Sequence, residues 1–82
     1  MNTITVFIPK EDFETTDYSS PIGCVLGKNL LKNGHKLGNS HLVGVGVHIA
    51  AVDGDEWCIL EWKEIMKSYE TPKDLLVHLL KI

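Results

Sequence analysis

Arginine is absent from this chain of 82 residues, whose eight basic side chains are all lysines. Arginine's planar fork is the preferred group for phosphate and guanine recognition, so its absence counts against a dedicated nucleic-acid binder. Cysteine is scarce. Cys24 and Cys58 make no C-x-x-C pair and supply neither a disulfide framework nor a zinc finger. They read as reduced thiols of a cytoplasmic protein, with a Cys24–Cys58 bond not expected. Long apolar runs are missing too. The early run "ITVFI" is far short of a membrane span and lacks a basic flank, so neither a signal peptide nor a transmembrane segment is expected. Repeats, low-complexity tracts and interdomain linkers are absent.

What is present describes one small globular domain over residues 1–82. At 44% hydrophobic and 23% charged, the chain is too apolar to be disordered. Its net charge of −3 is segregated. Lys10 stands against Glu11, Asp12, Glu14 and Asp17; Lys28, Lys32 and Lys36 follow with no acid between them; Asp53, Asp55, Glu56, Glu61 and Glu64 then outweigh Lys63.

Residues 3–8, "TITVFI", alternate as a strand, with Ile4, Val6 and Ile8 on its buried face. Pro9 ends it or marks an edge. "KEDFETTDYSS" reads as an irregular loop with room for one helical turn. Ser20-Pro21 is a helix start and Gly34 a helix stop. Between them Ile22, Leu26 and Leu30 form one row and Gly23 and Gly27 a second, a groove that lets the helix sit close on a sheet. "HKLGNS" reads as a loop. "HLVGVGVHIAAV" alternates as a long strand, and Asp53-Gly54 is a strong hairpin signal. Folding about that turn pairs Val52 with Asp55, Ala50 with Trp57 and Ile49 with Cys58. Trp62, Ile65, Met66 and Tyr69 follow helical spacing. Thr71-Pro72-Lys73-Asp74 then reads as the start of a third helix carrying Leu75, Leu76, Leu79 and Leu80.

The expected fold is therefore α+β, in the order β-α-β-β-α-α, a three-stranded sheet with helices on one face. The covered face is assigned to Ile4, Val45, Val47, Ile49, Cys58 and Leu60. The open face is assigned to Gly44, Gly46, His48, Trp57 and Ile59.

Chemistry-bearing motifs fail on spacing. Gly23 to Lys28 is one residue short of a phosphate loop, and Asn29 stands where a hydroxyl is needed. The histidines and cysteines lack finger-like spacing, so no metal and no cofactor are expected. No base and orienting group assemble around either cysteine, so the chain is not expected to be an enzyme.

Two resemblances remain. "IGCVLGKNLLK" and the element order resemble KH domains, in which a G-x-x-G loop clamps single-stranded RNA. The matching positions are Gly27-Lys28-Asn29-Leu30, with Leu30 at the second glycine. This resemblance implies RNA contact through Lys28, Lys32, Lys36 and His35. "IPKEDF", "SSPIGCVLGKNLL" and "VGVGVHI" resemble small phage and prophage accessory proteins. That resemblance implies a viral protein in the host cytoplasm that binds and blocks a host protein or protein–nucleic acid complex, a CRISPR-type defence complex being one such target. The leading expectation is this non-enzymatic inhibitor. Its contacts are assigned to Trp57, His48 and Ile59, with Glu11, Asp12, Glu14 and Asp17 steering the encounter. The Trp57 surface could equally meet a second copy of the chain. KH-like RNA binding is the alternative.

Overall fold

Alternation along the first strand is borne out. β1 (Thr3–Ile8) buries Ile4, Val6 and Ile8 and exposes the residues between them. A computed structural model of the chain describes residues 2–15, 25–42 and 48–82, with the backbone alone at residue 15 and at 39–42. After Pro9 come α1 (Lys10–Thr15), α2 (Val25–Lys32), β2 (Leu37–Leu42), β3 (His48–Val52), β4 (Asp55–Ile59), α3 (Trp62–Glu70) and β5 (Leu75–Lys81). The fold is α+β as expected, but the sheet has five antiparallel strands rather than three, curled into a half-barrel in the order β1-β5-β4-β3-β2.

Three elements differ from those expected, and two of them add strands. The leucine-rich segment after Pro72 is the strand β5, not a third helix. Its leucines fit either period; as a strand, Leu75, Val77 and Leu79 point inward together and meet Ile8, Val6 and Ile4 of β1. Asp74 does not begin a helix of its own: its carboxylate accepts the Lys10 N–H of α1 at 2.8 Å, satisfying one of the amides that a helix start leaves bare. Secondly, Lys10–Thr15 is a short helix, held by Phe13, which is buried and meets Tyr69 edge-on with ring centroids 5.5 Å apart. Thirdly, "LGNS" within the expected loop belongs to β2, whose pairing with β3 shifts register between Leu37 and Ser40. Gly38 permits the close approach there: a Cβ on it would lie 3.1 Å from the Ala51 side chain. The expected helix start at Ser20-Pro21, Gly23, Cys24 and the strand positions 43–47 lie outside the described residues.

The Asp53-Gly54 hairpin forms in the expected register, with Val52 opposite Asp55, Ala50 opposite Trp57 and Ile49 opposite Cys58. Both turn residues take positive φ, 53° and 84°, the primed turn whose twist matches that of the strands. Its faces, however, are the reverse of those expected. Ile59 pairs with Leu79, and Leu79 with Ile4, so these three form one row under the helices. Ala50, Val52 and Trp57 share that side. Ile49, Cys58 and, by alternation, Leu60 occupy the other. The inversion was hidden because β5, which fixes which side of β4 faces inward, was not read as a strand.

The core combines Ile4, Val6 and Ile8 with Phe13, Val25, Leu26, Leu30, Ile65, Val77 and Leu79. α2 packs against both edge strands, β1 and β2, and α1 packs against α3. One buried polar link ties the first two helices. Asp12 accepts a hydrogen bond from Asn29 Nδ2 at 2.9 Å, and the same nitrogen donates to the Val25 carbonyl at 2.8 Å.

Candidate interaction surface

A half-barrel lined with helices on one side leaves its outer side to solvent. Alternation decides what that side carries. Thr3, Thr5 and Phe7 come from β1, and Leu76, His78 and Leu80 from β5. Cys58, half-buried, and Leu60 come from β4 and the turn after it, and Ile49, which is buried, from β3. Phe7 is 53% exposed, Leu76 50%, Leu80 43% and Leu60 51%. Phe7 and Leu76 are direct cross-strand partners, and a row Thr3–Leu80–Cys58–Ile49 runs across four strands. Several large apolar side chains exposed on one sheet face are the kind of surface that serves as an interaction site.

One polar group is built into this face. His78 is gripped by Glu61 at the β4–α3 turn. The Glu61 carboxylate accepts the His78 backbone N–H at 2.6 Å through Oε1 and faces Nδ1 at 2.7 Å through Oε2. A carboxylate can only accept, so Nδ1 carries the proton. With Nδ1 held by Glu61, the ring turns Nε2 away from the pair as an oriented polar atom amid apolar neighbours. Asp53 grips His35 in the same way, accepting the Lys36 N–H at 2.7 Å and facing His35 Nδ1 at 2.7 Å. The Lys36 amide, with His35 beside it, holds the Asp53 carboxyl below the usual carboxylate range.

The side chains assigned from sequence to a contact surface scatter. Trp57, expected on the open face, is a core residue at 5% exposure, and its indole Nε1 donates to the Val52 carbonyl at 3.0 Å. Ile59 is buried beside it. Asp12 is buried too, so it steers nothing; the Asn29 hydrogen bond keeps its pKa below the ordinary value, against the opposing effect of burial. Glu11 and Glu14 are exposed on α1, and Asp17 lies outside the described residues. Lys28 reaches Asp12 at 3.5 Å, while Lys32 and Lys36 are exposed. Gly27-Lys28-Asn29-Leu30 lies inside α2 rather than in a loop, and a sheet of five antiparallel strands replaces the KH-like order.

His48 stacks on Trp62 with ring centroids 4.1 Å apart and planes tilted by 34°. Both line an open cleft of about 580 Å³ with Ile59, Leu60, Glu61, Lys63 and Glu64. Burial holds the His48 imidazole below its ordinary pKa, and its Nδ1 is enclosed with no hydrogen-bond partner among the described residues. Among the described residues no three His, Cys, Asp or Glu side chains gather closely enough to hold a metal ion, and no helix is long and apolar enough to cross a membrane.

Sequence reasoning foresaw an open sheet face but placed the wrong side chains on it. Phe7, Leu76, Leu80 and the Glu61–His78 pair were missed. The strand alternation T-I-T-V-F-I flagged Phe7 as facing away from the core. Nothing in the sequence pointed to Glu61, which reaches His78 across 17 positions. Comparison with known proteins finds no matching family model, no matching curated protein and no matching solved structure.

Proposed function

We propose that this chain is a non-enzymatic binding protein that docks on a macromolecular partner through the outer face of its sheet. The exposed apolar row of Phe7, Leu76 and Leu80 carries the reading. These side chains project from the two strands that pair most extensively, so the surface is rigid and little ordering entropy is lost on docking. His78, its Nδ1 held by Glu61, adds one oriented polar ring nitrogen between these side chains, which favours a partner that brings a hydrogen-bonding group within an apolar surround. The resemblance to phage accessory proteins favours a host protein or protein–nucleic acid complex as the partner, such as a CRISPR-type defence complex, which docking would block in the host cytoplasm.

The test is a paired substitution, Phe7→Ser with Leu76→Ser. Both side chains are surface-exposed, so the melting temperature is expected to stay within a few degrees. Inhibition of a purified defence complex, or capture of a bacterial partner identified by mass spectrometry, is expected to fall at least tenfold. Full retention of binding by the folded double variant would refute this surface. A mobility shift of single-stranded RNA by the wild type, lost on substitution of Lys32 and Lys36, would favour RNA binding instead.

A further inference from the structure

The outer edge of β1 offers a second kind of contact, made by the backbone. Lys81 donates its N–H to the Asn2 carbonyl at 2.9 Å, and the β1–β5 register continues from there without a shift. Antiparallel ladders alternate, so Asn2, Ile4, Val6 and Ile8 turn their N–H and C=O groups toward β5. Thr3, Thr5 and Phe7 turn theirs the opposite way. The other side of β5 agrees: the Leu60 N–H donates to the His78 carbonyl at 3.0 Å and the Ile82 N–H donates to the Glu56 carbonyl at 3.0 Å, so the even-numbered residues of β5 face β4. Among the described residues β1 ends the strand order, so no described strand lies beside the outward groups of these three residues.

Natural edge strands are blunted by a lysine, a proline, a bulge or a covering segment. From Thr3 to Ile8 β1 has no charge, no glycine, no proline and no register shift. The opposite edge, β2, has both Gly38 and a register shift. The asymmetry singles out β1 as the edge left fit for pairing.

We propose that β1 pairs antiparallel with β1 of a second copy about a two-fold axis at Thr5, joining two five-stranded sheets into one of ten. The sequence is suited to this register. Thr5 meets Thr5 of the second copy, Thr3 meets Phe7, and Ile4 meets Val6. Aromatic against β-branched and β-branched against β-branched are favourable cross-strand pairs. No like charges meet within the paired stretch, because it carries none. On the outer face the rows continue across the axis. Leu76 and Phe7 of one copy line up with Thr3 and Leu80 of the other, on both sides of a central His78–Thr5–Thr5–His78 row. A foreign strand would have to supply this pattern; a second copy already has it. The contact is one short strand wide, well under the roughly 800 Å² per partner of a standard interface, so the dimer is weak and concentration-dependent. It would set two outer faces side by side in one surface, which goes beyond the docking proposed above and does not depend on it.

Sedimentation equilibrium is expected to show mostly monomer at about 10 µM and mostly dimer near 1 mM, as for a weak interface. Amide hydrogen exchange followed by NMR across the same range is expected to slow at Thr3, Thr5 and Phe7 by at least fivefold, with Ile4 and Val6 unchanged because their amides already bond to β5. Thr5→Pro removes an outward N–H at the axis and leaves the β5 ladder whole, so it is expected to stay folded and monomeric at 1 mM. Should that variant fail to fold, the wild-type exchange measurement decides. A wild type that remains monomeric at 1 mM overturns the proposal, as does a dimer in which those three amides exchange no more slowly than in the monomer.

Discussion

Replacing Trp57 by alanine separates a core tryptophan from a contact tryptophan. The indole is 5% exposed, packed in the cluster that contains Val52, Ile59 and Leu79, and its Nε1 donates to the Val52 carbonyl at 3.0 Å. Truncating a buried tryptophan to alanine costs about 3–5 kcal/mol through lost transfer energy and the cavity left behind. Against a total of about 5–15 kcal/mol for a domain, that is a large share. At about 4–8 °C per kcal/mol for a chain of this size, the melting temperature should fall by roughly 12–40 °C. Trp57→Phe retains most of the packing but loses the indole hydrogen bond to the Val52 carbonyl, a loss of about 0.5–1.5 kcal/mol. Thermal melts followed by circular dichroism, with urea titrations for the free energies, measure both. A Trp57→Ala protein that melts within about 3 °C of the wild type would mean that the ring does not lie in the core, and the inward facing of β4 would be wrong.

Asp12→Ala should cost about 1.5–3 kcal/mol in urea titration, because a charge-assisted hydrogen bond to buried Asn29 is lost; an unchanged midpoint would mean that the α1–α2 link is dispensable. His48 is held below its ordinary value of 6.5 by burial. The unfolded chain therefore takes up a proton near pH 6 that the folded one refuses, and stability should decline as the pH drops below about 6.5 and level off once the folded imidazole also titrates. His48→Phe should flatten that decline; an identical pH profile would place His48 in solvent. Gly54→Ala should cost about 1 kcal/mol from backbone strain alone, since its φ is 84° and a Cβ there meets nothing within 4 Å. Gly27→Leu, at a buried position of α2, should lower stability by about 1–3 kcal/mol through overpacking, and a higher melting temperature would place that glycine against solvent.

Local chemistry was legible in the sequence wherever one short-range rule had no competitor. The alternation of Ile4, Val6 and Ile8, the Asp53-Gly54 turn with its pairings, and the helical spacing of Trp62 and Ile65 each follow from backbone geometry over a few residues. The segment after Pro72 had two valid readings, because four leucines at 75, 76, 79 and 80 satisfy a helix period and Leu75, Val77 and Leu79 satisfy a strand period. Only the slot between β1 and β4 decides between them. A strand there bonds on both edges and brings Val77 and Leu79 against Val6 and Ile4, which no isolated helix could match. The faces of the hairpin then followed from that choice, so an error in one element inverted the assignment of Trp57, Ile59 and Cys58 together. The Glu61–His78 and Asp12–Asn29 pairs were beyond any local rule. They join residues 17 positions apart, and what selects them is the proximity that the folded sheet and helices create.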